Sequence, residues 1–123
     1  MRKTLALTAV CALALSGCAK TLEAPSDQGV CYAMATLKDG NVRFNALASK
    51  VPDLEHCAAD LEAMRVRFNQ LGASNKELTG AYQGQFIFLQ PEGVFTSSRY
   101  SGIRYPFLVR TGDGRLAPPG AVQ

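Results

Sequence analysis

The chain reads as an α+β domain, a small antiparallel sheet with one amphipathic helix packed on it. Two observations predict this. Between Pro52 and Leu71, apolar residues Leu54, Cys57, Leu61, Met64, Phe68 and Leu71 recur at spacings of three and four, which makes a single stripe at helical period. On either side of it, short alternating segments are separated by turn residues, as strands are. The expected order is β-β-α-β-β-β.

Val30–Leu37 is the first strand, with Cys31, Ala33, Ala35 and Leu37 on one face and Val30, Tyr32, Met34 and Thr36 on the other. Asp39-Gly40-Asn41 is a turn signal. It leads into Val42–Leu47, with Val42, Phe44 and Ala46 inward and Arg43 and Asn45 outward. The pair reads as a hairpin, although Ala46-Leu47-Ala48 is also compatible with an early helical turn. In the helix, Pro52 fits the first position, and Asp53 and Glu55 suit the positive end of the dipole. Gly72 stands where a helix C′ glycine belongs. Small residues on the first strand let the helix approach closely, with Met64 and Phe68 filling the space farther along. Gly80–Gln90 is the next strand, with Gln85, Ile87 and Leu89 on one face and Phe86 and Phe88 on the other. Apolar residues on both faces describe a central strand covered on both sides, the second side by loops or by a partner. Pro91-Glu92-Gly93 turns the chain, Val94-Phe95-Thr96 returns it, and Ser97–Gly102 is a loop. Tyr105–Arg110 is the last long strand, with Pro106 marking an edge or a strand start. Gly112-Asp113-Gly114 permits a final turn.

The first 17 residues have a different character. Arg2 and Lys3 precede an apolar run of 12 residues, Thr4–Leu15, too short to cross a bilayer as a helix, which takes about 20. A basic start, a short apolar core and small residues after it form a secretory signal. Leu15-Ser16-Gly17-Cys18 resembles the lipobox of bacterial lipoproteins, with a branched residue three before the cysteine and small residues between. Cys11 does not match, because Val10 precedes it. The resemblance implies that residues 1–17 are removed and that Cys18 carries a diacylglycerol, often with a further acyl chain. Two or more chains anchor stably, at about 0.8 kcal/mol per buried methylene. Ala19 stands where an Asp commonly retains a lipoprotein in the inner membrane. The expected location is therefore the outer membrane of a Gram-negative cell, facing the periplasm, or otherwise the outer face of the cell membrane. The alternative is an ordinary secretory signal that leaves Cys18 free.

With Cys11 removed and Cys18 lipidated, Cys31 and Cys57 remain in an oxidising compartment. One intrachain pairing is then possible, contributing about 3.5 kcal/mol for a loop of about 27 residues. A redox pair would more commonly show Cys-x-x-Cys, and two cysteines with one histidine lack zinc-ligand spacing. The mature chain has 106 residues, and loss of Arg2 and Lys3 lowers the net charge from +3 to +1. Secretion makes nucleic acid an unexpected partner. Residues 18–29 are expected as a lipidated, flexible tether reaching at most about 35–40 Å, 30–117 as one domain, and 118–123 as a flexible tail.

No nucleophile elbow, zinc-protease motif or phosphate loop is present, and no metal or cofactor is expected. His56, the one histidine, has Asp53 three residues before it as a possible proton acceptor. Asp53, Glu55, Asp60 and Glu62 read as a solvated helix face, with Glu62 able to pair with Arg65. The candidate partner-binding surface is Arg99, Tyr100, Arg104 and Tyr105, where arginine and tyrosine interleave as they do in binding hot spots. From Gly93 onward four arginines face one acid, Asp113. That balance suits an acidic envelope protein or an anionic polymer such as cell-wall glycan or lipopolysaccharide. The alternative is an exposed loop and sheet edge guarded by charge. The expected function is a non-enzymatic binding or assembly accessory lipoprotein. An inhibitor of an envelope enzyme is the alternative, and a small hydrolase using His56 a third.

Overall fold

The computed structural model describes residues 21–72 and 77–120. The leader, Cys18 and the last three residues of the expected tail lie outside the described residues. The elements are β1 (Cys31–Thr36), β2 (Val42–Ala48), α1 (Leu54–Gln70), β3 (Leu78–Tyr82), β4 (Gln85–Gln90), β5 (Gly93–Ser97), β6 (Tyr105–Arg110) and β7 (Leu116–Ala117). They form one antiparallel sheet in the order β2-β1-β3-β4-β5-β6-β7, with α1 on one face. The predicted α+β class holds, with two strands more than expected.

Both extra strands lie beside turns. Gly80–Gln90 is a hairpin rather than one strand, because Gln83 and Gly84 both take positive φ, 47° and 86°. That is the backbone of a tight two-residue hairpin turn, whose twist matches the flanking strands. β7 follows the Gly112-Asp113-Gly114 turn and pairs at Arg110–Leu116 and Val109–Ala117. Two residues are too few to show a period. The β1–β2 hairpin forms as predicted, and β2 runs on through Ala48 in place of an early helical turn.

Helix α1 starts two residues later than expected, at Leu54 rather than Pro52. Asp53 is its N-cap in extended conformation; its Oδ1 accepts from the His56 amide at 2.8 Å, so Pro52 stays outside. At the other end Gly72, at φ +92°, is in the left-handed region that a C′ position asks for. The buried arc is Cys57, Ala58, Leu61 and Glu62, rotated from the predicted stripe, and Leu71 is 77% exposed.

The helix packs closest at Gly80, across from Ala33 in β1. A Cβ there would lie 2.6 Å from the Tyr32 carbonyl oxygen and overlap Leu61. The predicted close approach over small residues is therefore present, with Gly80 as its tightest point. Cys31 and Cys57 are disulfide-bonded with Cα atoms 5.4 Å apart, and both are fully buried. Tyr82 Oη donates to the Val51 carbonyl at 2.6 Å. Ile87, Leu89, Val94 and Leu108 complete this core. Met64 packs against this core, and with Phe68, Ala33, Ala35 and Leu78 it lines a surface groove of about 580 Å³.

Phe86 and Phe88 face away from the helix, and all four residues from Phe86 to Leu89 are buried. β4 is the two-sided central strand that its sequence predicts. Phe44, expected inward, joins this second face, its ring 6.4 Å from Tyr32 and 6.3 Å from Phe86. Ala46 is exposed.

Candidate functional site

Strand register gathers several segments at one end of the sheet. Cys31 pairs with Tyr82 and Ala48, Tyr82 with Gln85, Phe86 with Ser97, and Thr96 with Tyr105. The Gln83-Gly84 turn, the start of α1, the segment entering β1 and the loop leaving β5 therefore share one end.

The loop from Ser98 to Arg104 folds over the second face. The Tyr100 ring sits 5.6 Å from Phe86 and 5.8 Å from Phe88. Arg104 lays its guanidinium 3.6 Å from the Phe88 ring centroid and 5.7 Å from that of Tyr100. A cation over an aromatic face is held by the ring quadrupole, and more strongly when desolvated. The chain's own loop thus covers the phenylalanines. Two of the four candidate partner-binding residues, Tyr100 and Arg104, spend their rings and charge on this cover.

The other two point outward. Arg99 is exposed, and its amide donates to Ser97 Oγ at 3.1 Å, which fixes the start of the loop. Tyr105 is 57% exposed. Between them stands Ile103, which sequence reasoning passed over and which is 72% exposed. Arg99, Ile103 and Tyr105 line a shallow cavity of about 380 Å³ with Ser97, Ser98, Ser101 and Gly102. The outward tip is basic, apolar and aromatic at once.

The other basic residues do not join it. Arg110 Nε and Nη2 donate to Glu62 Oε2 and Oε1 at 2.8 and 3.1 Å, and its Nη1 donates to the Gln90 carbonyl at 2.6 Å. Arg65 donates to the same carboxylate from Nε and Nη2, each at 3.0 Å. Glu62 is 3% exposed, so it is a buried clamp between helix and sheet, not part of a solvated face. Burial pushes its carboxyl up, but hydrogen bonds from Arg110 and Arg65 outweigh that and hold it below its ordinary value. Tyr82 is committed to Val51 on the helix side and is not at the tip.

His56 is exposed, and its Nδ1 lies 2.6 Å from Asp53 Oδ1, the pairing its spacing predicts. The hydrogen bond to Asp53 raises the imidazole above its ordinary value and holds the carboxyl below its own. Cys57, its sequence neighbour, is in the disulfide. Among the described residues no group of three or more His, Cys, Asp or Glu is placed to hold a metal ion. No helix among them is long and apolar enough to cross a membrane.

The segment entering β1 runs along the same end of the sheet. Gly84 N–H donates to the Pro25 carbonyl at 2.8 Å, Gly29 N–H to Gln83 Oε1 at 2.7 Å, and Val51 N–H to the Gly29 carbonyl at 2.8 Å. Tyr32 Oη donates to Asp27. Thr21–Ala24 and Gly84 share the lining of a cavity of about 340 Å³ with Ser98 and Arg99. Residues 21–29, part of the segment 18–29 expected as a flexible tether, are docked beside the candidate surface. At the edge of the sheet opposite β7, β2 has no second strand partner among the described residues and carries Arg43 as its only charge. Comparison with protein-family models, with curated proteins and with solved structures finds no match for this chain.

Proposed function

We propose that the chain is a lipid-anchored protein of the bacterial envelope, held through Cys18 on the periplasmic face of the outer membrane. There it presents a small, cystine-stapled domain as a non-enzymatic binding or assembly accessory. The observation that carries this reading is Leu15-Ser16-Gly17-Cys18 after a basic start and a 12-residue apolar run. A disulfide between Cys31 and Cys57 is consistent with an oxidising compartment. The non-enzymatic part is supported by how the ionisable groups are used. Asp53 caps a helix and holds His56, while Glu62 is neutralised by two arginines. The outward tip of Arg99, Ile103 and Tyr105 has the composition of a contact surface.

The test is fractionation of cells expressing the full chain, with photo-crosslinkers placed at Arg99 and at exposed Ala46 on the β2 edge. Expected are membrane-bound wild type, a Cys18→Ser variant released from the membrane, and a crosslink from at least one position to an envelope component. A wild type that leaves the membrane in salt alone, or silence from both positions, sinks the proposal.

A further inference from the structure

We propose that the Ser98–Tyr105 loop is a second membrane contact, with Arg99, Ile103 and Tyr105 resting on anionic headgroups of the bilayer that holds the Cys18 lipid. This rests on the lipid-anchor reading and names what the outward tip touches.

Chain length carries the first part of the argument. Three peptide steps separate Cys18 from Thr21 and span at most about 11 Å. Thr21 lines the same cavity as Gly84, Ser98 and Arg99, and the docked Pro25 and Gly29 keep the segment from swinging away. An acyl chain on Cys18 therefore brings this end of the sheet down to the bilayer surface. The opposite end carries the Leu37–Asn41, Pro91-Glu92 and Thr111–Arg115 turns and faces away.

Chemistry carries the second part. Ile103 supplies exposed apolar area, and Tyr105 an amphipathic ring suited to the headgroup level. Arg99 supplies a cation that anionic lipid attracts. No acidic residue occurs from Gly93 to Gly112. At the same end of the molecule the helix side carries both signs, Asp53 paired with His56 and Glu55 alongside Lys50, and Glu23 and Arg99 line one cavity. An anionic surface attracts the acid-free loop side more than the mixed-sign helix side, which tilts the aromatic face toward the bilayer. The loop is also ordered beforehand, through Tyr100 and Arg104 on the phenylalanines and the Arg99–Ser97 hydrogen bond. Contact then costs little conformational entropy.

Magnitude decides between lipid and protein. A stable protein interface takes about 800 Å² per partner, some 20–30 residues. The tip offers three large side chains. A contact that weak is still populated when a tether raises its effective concentration to the millimolar range, and the lipid does so for the headgroups around it.

The chain contains no tryptophan, so single-tryptophan variants report without background. The experiment uses the full lipidated protein reconstituted in phosphatidylglycerol–phosphatidylethanolamine vesicles, with Ile103→Trp at the tip and Leu71→Trp as a distal control. Flotation with the vesicles reports the anchor, and emission reports the orientation. Ile103→Trp is expected to emit blue-shifted and to be quenched by brominated acyl chains, while Leu71→Trp stays water-like. Adding Arg99→Ala should lower the ratio of contacting to free tips about fivefold. Salt near 1 M, with a Debye length of about 3 Å, should weaken the contact without releasing the protein. A protein that floats while Ile103→Trp stays water-like overturns the membrane contact and leaves the anchor standing. A shift seen only on adding cell-wall glycan or envelope protein overturns it in favour of that partner. Failure to float overturns both readings.

Discussion

The two faces of the sheet are closed by unlike means. On the helix side a 17-residue helix is fastened by a disulfide, by the Leu61–Gly80 approach and by a buried carboxylate shared between two arginines. On the other side a short loop lays one tyrosine and one arginine over Phe86 and Phe88. One face is built for permanence. The other is a thin cover whose outer surface is free for contact. The thinner cover is the one that carries the outward tip of Arg99, Ile103 and Tyr105.

Perturbations on the helix face should therefore cost global stability, and those on the loop face should open it locally. The largest effect is expected from Cys31→Ala with Cys57→Ala, which removes about 3.5 kcal/mol by the chain-entropy model. Urea unfolding with and without reductant checks it, since reduction of the wild type should reproduce most of the loss. Arg110→Met comes next, at about 3 kcal/mol, because Glu62 keeps Arg65 but loses its partner across the fold while staying buried. A Glu62→Leu/Arg110→Met double variant should recover much of that loss, as apolar replacements of buried ion pairs do.

On the loop face, Tyr100→Ala should cost about 2 kcal/mol through lost aromatic contact, and Arg104→Ala about 1 kcal/mol. Either change should raise amide exchange in 98–104 and admit a hydrophobic dye over Phe86 and Phe88, with β1 and β3 remaining protected. Global unfolding at the same denaturant would erase the distinction between the faces.

The smallest effect is at the helix start. Asp53 is held below its ordinary value, so its contribution is present above that value and fades as pH falls through the lowered one. His56 is raised above 6.5, so its contribution is full below 6.5 and fades as pH rises through the raised value. The pair therefore supports the helix most between the two ordinary values. Asp53→Asn, which keeps a capping oxygen, should flatten that shallow pH dependence of thermal unfolding without removing the helix.

Legibility in the sequence followed the length of each signal. The helix, the β1–β2 hairpin and the two-sided β4 were readable because period and turn chemistry agreed over many residues. The β3–β4 turn was not, because Gln83 adopts a left-handed backbone that asparagine or glycine usually marks. Glu62 was misread as solvated because its second partner, Arg110, is 48 residues away. The candidate surface was half legible. Arginine and tyrosine in alternation announced contact, but not which side chains would turn inward. The signal that Tyr100 and Arg104 do so lies in β4, where Phe86 and Phe88 demand a cover and the next aromatic loop in the chain supplies it.

Anchoring through Cys18 carries the most weight, and mass spectrometry of the N-terminal peptide from membrane-purified protein tests it most directly. The account predicts a peptide that begins at Cys18 and carries acyl chains. A peptide that begins elsewhere, or a Cys18 without acyl mass, would contradict it.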